Sequence, residues 1–213
     1  MYDLIVPIDN QPIDATFFGE GRWLTNFITP NALGVQALFH DLTKGIADSR
    51  SRIIACWQWV ASNIRYVTFV RGKTQIGDKV SVQNDLWLDP TTTIQVAQGN
   101  CAVKSFLLTS LLRNELPEDA VYCVLGNLHN GKPGGHAWVK LTLNNDDFYM
   151  ESTMPTAPPL VPVNVAQRYE AVHFFNDQKV FAIEGKTQLV PFALCYSTWL
   201  QDYLDWSYIE SQR

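Results

Sequence analysis

The stretch over residues 97–114, "AQGNCAVKSFLLTSLLRN", constrains this chain most. Leu107, Leu108, Leu111 and Leu112 recur at helical spacing, and so dense a leucine stripe leaves that side little polar surface. The helix face they form has to be buried against the rest of the chain. Gly99 and Asn100 stand before it, and asparagine is a good helix cap because its side-chain oxygen can accept a first-turn N–H. The helix therefore starts at a cysteine.

What could cover that face follows directly in sequence. "LPEDAVYCVLG" turns at Pro117 and becomes a strand, "HAWVKLTL" is a second strand, and "DFYMEST" a third. These predict strands near 120–126, 136–143 and 147–152. Asn144-Asn145 between the last two is good two-residue hairpin chemistry, since asparagine tolerates positive φ. Such a turn pairs Leu143 with Asp146 and sets the register of the whole hairpin. It carries His136 opposite Thr153, with Glu151 as the diagonal neighbour on the same face.

Two helices precede this unit. In "TPNALGVQALFHDLTKG", Thr29 reads as N-cap, Pro30 as the first helical residue and Gly45 as the terminator, with Val35, Leu38, Phe39 and Leu42 as the apolar stripe. His40 lies on or beside that stripe and reads as structural. A second helix runs from about Ser51 to Ile64, with Ile53, Trp57, Val60 and Ile64 on one face. Residues 65–95 read as irregular. After Thr153, "MPTAPPLVPV" reads as extended chain and "KVFAI" as a short strand. A last helix near 198–209 carries Trp199, Leu200, Tyr203, Leu204 and Trp206. It either docks on the core or forms a partner surface. The organisation expected is a helical extension over 1–50, a core over 51–155 and a C-terminal extension over 156–213.

Composition excludes some classes of function. Hydrophobic residues make up 46% and charged residues 17% of 213, an ordinary soluble composition. The net charge is −5 and the 16 Lys and Arg are scattered, which argues against a nucleic-acid partner. No apolar run approaches the roughly 18 residues that cross a bilayer, so no membrane partner is expected. "MYDLIVPIDNQPID" has no basic stretch followed by an apolar one, so no secretory signal is visible. The cysteines at 56, 101, 123 and 195 have no CxxC pairing, which fits reduced thiols in a cytoplasm better than a disulfide framework or a zinc site. Cys56, Cys123 and Cys195 sit among apolar neighbours and read as inert packing residues.

Cys101 reads differently. A thiol is a poor nucleophile until deprotonated, and a helix start favours the thiolate through unpaired N–H groups and the positive end of the macrodipole. The same N–H groups can hold the oxyanion formed when the thiolate attacks a carbonyl. Gly99 lets backbone and substrate approach closely. His136, behind Gly134-Gly135 at the head of a strand, is the candidate base, because an imidazole exchanges protons near neutrality. Glu151 is a carboxylate in an otherwise apolar strand, where burial is costly unless it is paired. The diagonal from 136 spans about 7 to 8 Å, within reach of a long side chain.

"GNCAVKSFLLTSLLRNELPEDAVYCVLG", "GGHAWVKL" and "FYMEST", in that order, resemble the transglutaminase-like superfamily of papain-type thiol enzymes. "ACWQWVASNIRY" and "LWLDPTTTIQVAQGNC" resemble its lead-in helix and its approach to the cysteine. The resemblance covers roughly residues 50–155. It implies an α+β fold with a papain/transglutaminase-like core, the nucleophile helix packed on an antiparallel β-sheet. It also implies a Cys101–His136–Glu151 triad. Two residues depart from the pattern: Glu151 stands where the family usually has Asp, and Ala102 where many relatives carry an acid. For the second oxyanion donor three readings stand open: Gln95, at the papain-like offset before the cysteine; Trp87, matching an upstream tryptophan of some transglutaminases; or backbone N–H alone. Trp138, two residues after His136, would wall the site.

The expected activity is acyl transfer through a Cys101 thioester on a peptide or protein substrate, as a peptidase, amidase or glutamine acyltransferase, without metal or cofactor. The rival reading is a non-catalytic binding or assembly module that keeps the fold. Thiol redox chemistry lacks a resolving cysteine near Cys101.

Overall fold

The computed structural model describes residues 5–7, 12–13, 22–67, 72–76, 79–83, 87–130 and 132–183. The expected helix near 198–209 and Cys195 lie outside the described residues. In chain order the elements are β1 (Ile5–Pro7), β2 (Pro12–Ile13), β3 (Arg22–Trp23), α1 (Leu33–Thr43), α2 (Ser49–Asn63), β4 (Arg65–Tyr66), β5 (Gly72–Ile76), β6 (Lys79–Gln83), α3 (Pro90–Val96), β7 (Gln98–Gly99), α4 (Cys101–Leu112), β8 (Val121–Asn130), β9 (Lys132–Leu143), β10 (Asp146–Met150), β11 (Val161–Pro162), β12 (Tyr169–Phe175) and β13 (Val180–Ile183).

The leucine-rich helix is α4, and it is buried on all sides rather than on one face. Leu107, Leu108, Leu111 and Leu112 are fully buried, each contributing about 1.5–3 kcal/mol of hydrophobic stabilisation. Helices α1 and α2 cover it with Val35, Phe39, Ile53, Trp57 and Val60, while β8 and β9 supply Val121, Val139 and Leu141 to the same cluster. The main sheet has seven strands in the order β1-β13-β12-β8-β9-β10-β11, with antiparallel neighbours. The fold is α+β, with the Cys101 helix laid on an antiparallel sheet.

The hairpin of β9 and β10 has the register its turn dictates. Asn144 and Asn145 take φ of 53° and 68°, and the pairing runs from Asp146↔Leu143 to Met150↔Val139. Strand β12 joins the interior of the sheet beside β8, and β1 and β13 extend it, so the sheet draws strands from all three expected segments.

Three expectations need correction. Helix α1 begins at Leu33 with Ala32 as N-cap and no side-chain capping bond, so Thr29 does not cap it; Gly45 follows the helix end at φ 79°. The described residues of 65–95 are not irregular. They hold the β5–β6 hairpin and α3, which is nucleated where Asp89 Oδ1 accepts from Thr92 N at 3.0 Å and Pro90 pre-sets the first helical φ. The segment "MPTAPPLVPV" is not simply extended: it turns through 155–157 and contributes β11 to the edge of the sheet.

Candidate active site

Cys101 is the first residue of α4. Asn100 caps the helix, its Oδ1 accepting from Val103 N at 3.0 Å, and Lys104 N donates to Asn100 O. The approach is pinned from behind: β7 pairs in parallel with β4, and Val67 N donates to Gly99 O. A Cβ at position 99 would lie 2.6 Å from Val103 Cγ1, so the chain requires glycine there because the helix's own valine fills the space. The close approach that Gly99 permits here is to α4.

The helix is oriented along β9. Cys101, Ala102 and Phe106 share an apolar cluster with Cys123, Leu125 and Ala137, whereas its later leucines cluster with Val121, Val139 and Leu141. Its start therefore lies at the His136 end of β9.

His136 is not at the head of its strand, as expected, but inside β9, whose pairing runs on through Gly135 and Gly134, and it is buried opposite Gly126 of β8. Its Nε2 lies 2.7 Å from Glu151 Oε2. The Trp138 ring stacks on the imidazole at 6.0 Å and 24°, and Tyr169 stands at 6.2 Å and 44°. Trp138 thus walls the site as its strand position implied. Gly126 makes room for that indole, since a Cβ there would approach Trp138 to 2.4 Å.

Glu151 follows β10 and is 3% exposed. Its carboxylate is saturated with donors. Oε1 accepts from Thr153 N at 2.9 Å and Thr153 Oγ1 at 2.6 Å, while Oε2 meets His136 and accepts from Tyr169 OH at 3.1 Å. Its carbonyl is held by α2, Trp57 Nε1 donating to Glu151 O at 2.7 Å, and the hydroxyl of the next residue, Ser152, bonds that of Ser105 in α4. Burial pushes the carboxyl up, but the charge and hydrogen bond of His136 and the bonds from Thr153 prevail, holding it below its usual range. An ionised carboxylate only accepts, so His136 Nε2 carries the proton and Nδ1 is the ring's other nitrogen for chemistry.

Lys104, one turn past Cys101, is buried, with Nζ donating to Ala61 O at 3.1 Å and Ile64 O at 2.7 Å. It satisfies carbonyls at the end of α2. Burial lowers its pKa to about 8, against the opposing pull of the Glu151 charge. The other described thiols are packing residues: Cys56 is buried and pushed up to about 12, and burial raises Cys123 as well. His40 is exposed. Of the oxyanion candidates, Gln95 is exposed on α3, whereas Trp87 is buried in the Cys101 cluster, against Phe27 and Phe106. Among the described residues, no group of His, Cys, Asp or Glu gathers as metal ligands, and no helix is long and apolar enough to cross a membrane.

Sequence reasoning missed Thr153, Lys104 and Tyr169. Thr153 was readable, because a hydroxyl two residues past an acid can bond it locally. Lys104 and Tyr169 carry no local signal: one looks like a solvated helix lysine, and the other comes from a distant strand.

No protein-family model matches the chain, and no curated protein matches it. Solved structures do. A candidate cysteine protease from Cytophaga hutchinsonii superposes with a TM-score of 0.49 at 16% identity, over 70% of this chain and 44% of that one. Legionella pneumophila LapG superposes at 0.44 and 14% identity, over 70% of this chain and 88% of that one. EGTA-treated LapG gives 0.45 and 14%, over 78% and 94%. The likeness is of backbone, and this chain spans less than half the length of the Cytophaga protein.

Proposed function

We propose that this chain is a thiol enzyme that cleaves or transfers the acyl group of a peptide or protein amide through a Cys101 thioester. The observation that carries the reading is the buried His136–Glu151 pair, with His136 in the half of β9 against which the Cys101 helix begins. In this reading Cys101 gives its proton to His136 Nδ1, and the thiolate attacks the amide carbonyl. The oxyanion is received by first-turn N–H and by the indole N–H of Trp87 in preference to Gln95. The C–N bond breaks as His136 returns the proton to the departing amine. Water, or a second amine, then loses a proton to His136 and attacks the thioester, releasing acid or new amide and restoring the thiol. Glu151 fixes the imidazole tautomer and stabilises its charged form.

Incubating the full chain with a peptide mixture, with and without a primary amine, and weighing the products by mass spectrometry tests this. Cleaved acids identify a hydrolase and amine adducts identify an acyltransferase. The absence of both products would overturn the reading in favour of a binding module, and products that persist in Cys101→Ala would overturn the assignment of Cys101 as nucleophile.

A further inference from the structure

Glutamate at position 151 poses a mechanical problem that aspartate would not: one more side-chain torsion to hold while the carboxylate steers an imidazole. Thr153 fixes Oε1 with two bonds, but that pair alone leaves the group free to pivot about Oε1. The second anchor comes from β12, which lies in the same sheet on the far side of β8 from His136. Tyr169, the first residue of β12, faces Leu128 of β8 across the ladder. Its hydroxyl reaches Oε2, the oxygen that meets His136 Nε2. Its ring is packed at 5.0 Å from Trp138 and 5.7 Å from Tyr149, and it also flanks the imidazole itself. One side chain thus touches both members of the His136–Glu151 pair.

We propose that Tyr169 is a positioning residue of the reaction described above, its hydroxyl holding Glu151 Oε2 in line with His136 Nε2 while its ring walls the imidazole. The inference rests on the reading of Cys101, His136 and Glu151 as a thiol-enzyme triad. A hydroxyl donating to a carboxylate favours its charged form, and it is the charged form that supports an imidazolium. Tyr169 therefore extends the acidic range over which the thiolate persists.

Tyr169→Phe removes the hydroxyl and keeps the ring, so a role limited to packing would leave every readout unchanged. The measurement is the rate at which iodoacetamide modifies Cys101 across pH, site-resolved by mass spectrometry, alongside the thermal midpoint. The native chain labels fast at neutral pH, and His136→Ala abolishes the advantage. In Tyr169→Phe the acid limb moves to higher pH: labelling at about pH 5 slows roughly 3- to 10-fold while that at about pH 8 changes less than about twofold, and the midpoint falls modestly because a hydrogen bond to a buried carboxylate is lost. A variant profile superimposable on the native one overturns the proposal and leaves the triad standing. Native labelling that is slow, or indifferent to His136→Ala, brings down the triad reading and this inference with it.

Discussion

His136 Nε2 and Glu151 Oε2 lie 2.7 Å apart with both side chains almost wholly inside the protein. Glu151→Gln preserves the shape and removes the charge. Under the proposed mechanism it lowers kcat by about 10²- to 10⁴-fold, by analogy with the neutral amide in a serine triad. The substitution also changes stability. The carboxyl's folded pKa lies below its unfolded value, so its contribution is present above the unfolded pKa and is lost as pH falls through the folded one. Denaturant unfolding from about pH 3 to 7 should show a shallower acid limb in the glutamine variant.

Gly99→Ala tests the seat of the nucleophile helix. The new methyl meets Val103 Cγ1 and Cβ, the stiff base of a side chain rather than its flexible end. A loss of about 1–3 kcal/mol is expected by chemical denaturation. Adding Val103→Ala should return part of it, so that the two changes are non-additive in a double-mutant cycle.

Lys104→Met separates charge from packing within α4. Burial holds the native amine near a pKa of about 8, below its unfolded value. The unfolded chain therefore binds more protons between about pH 8 and 10.5, and this group's contribution to stability rises with pH across that window. Buried Cys56 works in the opposite sense at alkaline pH, so the informative quantity is the difference between native and variant. That difference should shift in favour of the native chain by up to about 3 kcal/mol over the window. A flat difference would mean that Lys104 is not a desolvated ammonium.

Legibility in the sequence followed the range of the interaction. The Asn144-Asn145 turn is a local device, and once its two residues adopt positive φ the pairing of β9 with β10 is fixed, which brings Glu151 to His136. The cap at Asn100 is likewise written within four residues. The same kind of signal was present in Asp89-Pro90, where capping acid and proline begin α3 inside a stretch that otherwise reads as irregular. Strand β12 was invisible for a different reason: its register slips between Ala171 and His173, which breaks the two-residue period. Lys104 and Tyr169 could not be placed because nothing nearby in sequence requires them. One answers carbonyls of α2 roughly forty residues earlier, and the other a carboxylate eighteen residues before it.

The complete enclosure of α4 has a consequence for durability. With α1 and α2 on one side and the sheet on the other, all twelve of its residues are buried, and its inner turns cannot loosen without separating those layers. Amides in its inner turns should therefore be among the slowest in the molecule to exchange hydrogen. Cys101 therefore sits on the most persistent part of the fold, and whatever adapts to an incoming chain must be the surroundings of the sulfur rather than its support.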